Sequence, residues 1–98
     1  MTINKTKNDT ALTFTLEGRL DTTTAPELES ALNDSLDGID NLTFDFSNLV
    51  YLSSAGLRVI LSAQKRMNKQ GKMVICNVNE TILEVFEITG FMDILTIE

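Results

Sequence analysis

Leu42-Thr43-Phe44-Asp45-Phe46-Ser47-Asn48-Leu49-Val50-Tyr51-Leu52-Ser53-Ser54-Ala55-Gly56-Leu57-Arg58-Val59-Ile60-Leu61 changes its hydrophobic period partway along. From Leu42 to Phe46 apolar and polar residues alternate, with Leu42, Phe44 and Phe46 on one side and Thr43 and Asp45 on the other. That is a strand with one buried and one wet face. From about Ser54 to Gln70 the spacing becomes helical: Leu57, Ile60, Leu61, Gln64 and Met67 share a side. Lys65, Arg66 and Lys69 crowd the last turns, where the helix dipole favours cations, and Gly71 stops the helix. Ser47 to Leu52 has neither period and is predicted to be the loop between them.

The same alternation of element types extends in both directions. Upstream, Leu12, Phe14 and Leu16 alternate with Thr13 and Thr15, a strand ended by Gly18-Arg19-Leu20-Asp21. A strand over Ile3 to Lys7 precedes it as a hairpin partner, turned at Asn8-Asp9. Thr22, Thr23 and Thr24 offer hydroxyl caps for the next helix, with Pro26 in its first turn and Glu27 and Glu29 at the positive end of its dipole. Ala25, Leu28, Ala31, Leu32 and Leu36 form its apolar stripe, and Asp37-Gly38 closes it. Downstream, Lys72 to Val78 is a further strand. Asn79 caps a helix seamed by Ile82, Val85 and Phe86 and ended by Gly90, and Ile94 to Ile97 is a last short strand. Met67, Met73 and Met92 are expected in the core.

Strands alternating with helices make an α/β fold: a mixed, mainly parallel sheet of four to five strands in a single domain over residues 1–98. A sheet covered on both faces needs strands apolar throughout. Thr13, Thr15, Thr43 and Asp45 break that pattern, so the helices are expected mostly on one face.

The 98 residues carry 14 acidic and 8 basic side chains, a formal charge of −6, which disfavours a polyphosphate partner and so nucleic acid. Lys65, Arg66, Lys69 and Lys72 read as a solvated face. The chain contains no histidine, so Ser-His-Asp and Cys-His nucleophiles and imidazole-containing metal sites are excluded. Its one cysteine, Cys76, has no internal partner and reads as a small buried hydrophobe. No cofactor and no metal are expected, since neither a Gly-rich phosphate loop nor the elbow G-x-S-x-G occurs and no acidic pair is set for acid–base work. No apolar run approaches the roughly 20 residues of a membrane span, and the N-terminal residues lack the apolar centre of a signal peptide. The expected setting is cytoplasmic, without membrane insertion.

The most suggestive residues are Ser53 and Ser54, set where a strand hands over to a helix. Free N–H groups in a first helical turn favour an oxygen acceptor or an anion. Serines there are also ordinary N-caps, worth about 1 kcal/mol. Ala55 and Gly56 are expected to leave the backbone uncrowded, so that another protein's active site can reach a hydroxyl.

Leu16-Glu17-Gly18-Arg19-Leu20-Asp21, the strand Leu42 to Phe46, the segment Val50 to Leu61 and the Gly71-Lys72 turn together resemble a STAS domain of the anti-sigma factor antagonist type, over about Ile3 to Ile97. The resemblance implies a small binding protein, not an enzyme, that regulates transcription by switching partners. It implies that an anti-sigma factor with serine kinase activity is bound in the unmodified state and released after phosphorylating Ser54, and that a protein phosphatase resets the switch. Asp21 matches the family's Asp in the first strand-to-helix loop, and the implied contact face is Asp21, Thr22, Ser53, Ser54, Ala55, Gly56 and Arg58. Two positions depart from the family pattern. Ser53 stands where an Asp is usual, leaving Ser53 as a second candidate acceptor, and Arg58 stands where many relatives have a small residue. Arg58 is open to three readings: a partner for an acidic patch on the kinase, a support for the phosphate, or a solvated arginine. Two rival duties remain: an unphosphorylated STAS subunit of a transporter or signalling complex, and a weak nucleotide-binding or hydrolytic module using Ser54 and Asp21.

Overall fold

A computed structural model describes residues 1–98. In chain order it contains β1 (Thr2–Asn8), β2 (Ala11–Leu20), α1 (Ala25–Ser35), β3 (Asn41–Leu52), α2 (Ser54–Gln70), β4 (Lys72–Cys76), α3 (Glu80–Thr89) and a 3-10 turn, Phe91–Asp93. The sheet order is β1-β2-β3-β4. β1 and β2 are an antiparallel hairpin turned at Asp9, which has a positive φ of 57°; β2–β3 and β3–β4 are parallel.

Alternation decides which face is covered. Leu12, Phe14, Leu16, Leu42, Phe44, Phe46, Met73 and Ile75 are buried and join Leu28 and Leu32 of α1, Ile60 and Met67 of α2, and Ile82 and Phe86 of α3 in one cluster. Phe14 and Phe44 are cross-strand neighbours whose rings stack with centroids 5.8 Å apart. Thr13, Thr15, Thr43 and Asp45 lie on the other face, half-buried.

Several boundaries differ from those read in the sequence. The segment Ser47 to Leu52 is the second half of β3, not a loop. The β2–β3 register slips once between Thr15–Asp45 and Glu17–Asn48 and again between Gly18–Leu49 and Arg19–Tyr51. Each slip puts one extra residue into β3, a bulge that breaks the period of two while letting Leu49 and Leu52 both reach the core. β2 likewise runs through Gly18, at φ 97°, to Leu20. β4 stops at Cys76 because Asn77 turns left-handed, at φ 59°. Residues 94–97 form no fifth strand; a single parallel bridge joins Ile97 to Ile75 along the outer edge of β4. Met67 and Met73 are buried as expected, but Met92 is exposed, and Cys76 is half-buried on the open face. Burial, then the nearby carboxylates of Asp45 and Glu98, push the Cys76 thiol up.

Asp45 anchors the turn after β4. Its Oδ1 accepts from the Asn77 side-chain amide and from the Ser47 N–H, each at 3.0 Å. These bonds, Asn77's foremost, hold its carboxyl below the usual aspartate range. A folded pKa below the unfolded one means the unfolded chain binds the proton more readily, so this contribution to stability is complete above the ordinary aspartate pKa. It fades as pH falls through the depressed value. Thermal melts of the Asp45→Asn protein are therefore expected to lose less Tm between neutral pH and pH 3 than the parent does.

Candidate functional site

Because β2 and β3 are parallel neighbours, their carboxyl ends reach the same edge of the sheet, and the helices that follow begin side by side. The Ser53 N–H donates to the Leu20 carbonyl at 2.9 Å, tying the two strand ends together. One residue beyond that bond on either side stand Asp21 and Ser54. Crevices beyond the carboxyl ends of strands are where α/β sheets place their binding sites.

The α1 turn is organised by a carboxylate, which corrects the expectation of threonine hydroxyl caps. Asp21 Oδ1 accepts from the N–H groups of Thr23 and Thr24 at 3.0 and 3.1 Å, while Thr24, at the N-cap position, makes no side-chain cap bond. The Thr24 hydroxyl instead accepts from the Asp21 N–H and donates to the Arg19 carbonyl, both at 2.8 Å. The Thr24 N–H is the main cause that lowers the Asp21 pKa, helped by Thr23, the Thr24 hydroxyl and Arg19 against a desolvation that raises it. Arg19 lies 3.7 Å from the carboxylate.

Ser53 and Ser54 have different chemical positions. Ser53 is the α2 N-cap: half-buried, its hydroxyl accepts from the Gly56 N–H at 3.2 Å. Ser54 is the first residue of the helix, exposed, and its hydroxyl has no hydrogen-bond partner within the protein. Ala55 is half-buried and Arg58 is exposed. Gly56 is buried, which corrects the expectation that it opens the backbone to visitors. A Cβ there would stand 2.6 Å from Leu20 Cγ and 3.0 Å from the Leu20 carbonyl oxygen. The glycine lets the first turn of α2 sit down on β2 and β3, and so fixes where Ser54 is presented.

An open groove of about 240 Å³ runs between the two helix starts, lined by Thr22, Ala25, Pro26 and Glu29 on one side and Ala55, Arg58 and Val59 on the other. Of the residues singled out in the sequence, the structure thus brings Thr22, Ala55 and Arg58 to one groove, while Asp21, Ser53 and Ser54 precede its lining residues in the chain and do not line it.

Sequence reading missed the neighbouring surface. Val50 is 62% and Tyr51 39% exposed, and the Arg19 guanidinium lies over the Tyr51 ring, 4.1 Å from its centroid. Arg19 and Tyr51 are paired residues of β2 and β3, but the pairing depends on both bulges, which leave no periodic signal. This end of the sheet therefore carries a free hydroxyl and an uncommitted arginine at the start of α2, with a stacked aromatic–cation pair and an exposed valine at the ends of β2 and β3. Such a mixture suits a protein interface, where aromatic and Arg residues are enriched. No group of three or more His, Cys, Asp or Glu is placed to hold a metal ion, and no helix is long and apolar enough to cross a membrane.

The sequence model of the STAS domain matches residues 2–98. The chain is 36% identical over 99 residues to BtrV of Bordetella bronchiseptica, whose name proposes an anti-sigma factor antagonist; the match spans 99% of this chain and 85% of that protein. It is 32% identical over 97 residues to the anti-sigma-B factor antagonist of Staphylococcus aureus, spanning 97% of this chain and 90% of that one. The fold superposes on the phosphorylated form of SpoIIAA, a Bacillus cell fate determinant, with a TM-score of 0.78 at 15% identity, covering 99% of this chain and 91% of that chain.

Proposed function

Since the chain belongs to the STAS domain family, and its relatives are named as anti-sigma factor antagonists, we propose that it is a partner-switching protein controlled by phosphorylation of Ser54. Unmodified, it binds an anti-sigma factor and so frees a sigma factor for transcription. The anti-sigma factor is also a serine kinase: it passes the γ-phosphoryl group of ATP to Ser54 Oγ, the hydroxyl proton is lost and ADP leaves. The modified protein lets go, and a protein phosphatase returns it to the binding state. The chain acts as substrate and binding partner, in the cytoplasm, and not as a catalyst.

The observation that carries this reading is the division of labour between adjacent serines. Ser53 spends its hydroxyl on the helix cap, whereas Ser54 is exposed and unbonded at the start of α2. A phosphate at Ser54 meets the positive end of the helix dipole, so the fold tolerates it.

Incubation with the cognate kinase and ATP is expected to add the mass of one phosphate to the parent and to Ser53→Ala, and none to Ser54→Ala. Ser53→Ala should lose about 1 kcal/mol of stability with its cap. No mass gain in the parent would leave the rival reading of an unphosphorylated STAS subunit, and a phosphate that moved to Ser53 would overturn the assignment.

A further inference from the structure

Arg58 follows Ser54 by four residues on the exposed face of α2. Helical side chains lean toward the N-terminus, so the Arg58 guanidinium can fold back onto the turn that carries Ser54. Residues at this spacing have Cβ atoms about 5–6 Å apart, well within reach of a guanidinium. Arg58 has no ion pair of its own, although Glu29 of α1 lines the groove it borders. The other charges at this edge, Asp21 and Arg19 at the end of β2, are engaged with each other, and Arg19 also with Tyr51. Arg58 is therefore the uncommitted cation on the face where a phosphate on Ser54 would stand.

We infer, resting on the reading of Ser54 as the phospho-acceptor, that Arg58 is the counter-charge of phosphoserine 54 and a positioning residue of the switch. With Ser54 unmodified, the guanidinium projects from α2 as part of the contact face. Once the phosphate is present, Arg58 folds back along the helix and pairs with it. Modification then alters the surface twice, adding a dianion and withdrawing a cation from the partner. The planar fork of arginine matches two phosphate oxygens, which the point charge of a lysine does not. Glu29, across the groove and not paired with Arg58, is the one carboxylate lining it and adds a negative charge that works against ionisation of the phosphate.

The test needs no kinase. Phosphoserine is installed at position 54 during translation by nonsense suppression, and its second ionisation is followed by phosphorus NMR. With Arg58 present, the phosphate pKa is expected to lie roughly half a pH unit below that in Arg58→Gln, the size of an exposed ion pair. Arg58→Lys should recover part of the shift, and Glu29→Gln should enlarge it. Molar salt should erase the difference between parent and Arg58→Gln, while the contribution of the helix start is common to both. Equal titrations for the parent and Arg58→Gln at low salt would overturn the inference. A normal shift in a protein that its kinase leaves unmodified would instead sink the phosphorylation reading and spare the geometry.

Discussion

Phosphorylation of Ser54 is expected to weaken binding of the anti-sigma partner by at least about 100-fold, the equivalent of nearly 3 kcal/mol. The phosphate brings a charge of about −1.5 to −2 at neutral pH to an exposed helix start where the unmodified protein presents a small neutral hydroxyl, with Arg58 as the one unpaired cation beside it. In a closed interface that dianion must shed its water, and a single guanidinium offsets only part of its charge, so burying the remainder costs several kcal/mol. Ser54→Asp carries less charge on a shorter arm and should lose roughly tenfold. Ser54→Ala should bind like the parent. Calorimetric titration of all four forms against the partner gives the series, and circular dichroism should show the same fold and a Tm within a few degrees throughout. Equal affinity for the parent, the phosphoprotein and Ser54→Asp would end the switch proposal.

The second large effect concerns the fold. Gly71→Ala is expected to cost about 3 kcal/mol or more, at the upper end of overpacking penalties. Gly71 is extended, with φ 170°, so the reason is space and not backbone conformation. A Cβ at this position would overlap the Asp40 carbonyl oxygen and lie 2.5 and 2.7 Å from the Asp40 carbonyl carbon and Cα. Backbone atoms cannot swing aside as a side-chain tip can. The next residue, Lys72, donates to the same carbonyl at 3.0 Å, and the Asn41–Lys72 pair opens the β3–β4 ladder. Moving Asp40 therefore disturbs the start of two strands. For a domain of this size the Tm should fall by roughly 10–20 °C, and Gly71→Ser should fall as far. Gly38→Ala gives the contrast: no atom lies within 4 Å of its Cβ, so the cost is only that of its left-handed φ of 77°. A Gly71→Ala protein melting within a few degrees of the parent would show that the segment before β3 moves freely.

Most of the architecture could be read from side-chain period alone. Leu12-Phe14-Leu16 and Leu42-Phe44-Phe46 alternate with threonine and aspartate, so each strand declares one core face, and the helices had to gather on it. The stripe of α2 and the capping residue Asn79 are equally local, because a cap bonds an N–H three residues on. The lack of histidine removes whole classes of chemistry whatever the fold. By contrast, the second half of β3 was hidden: its two bulges are defined against β2, and a strand out of phase looks like a loop. The Arg19–Tyr51 stack, the burial of Gly56 against Leu20 and the clash awaiting any side chain at position 71 are likewise contacts between segments distant in sequence. The chain itself could offer two serines at a helix start; only parallel pairing of β2 with β3, by holding Ser53 against Leu20, determined that one hydroxyl turns inward to the cap and the other outward to solvent.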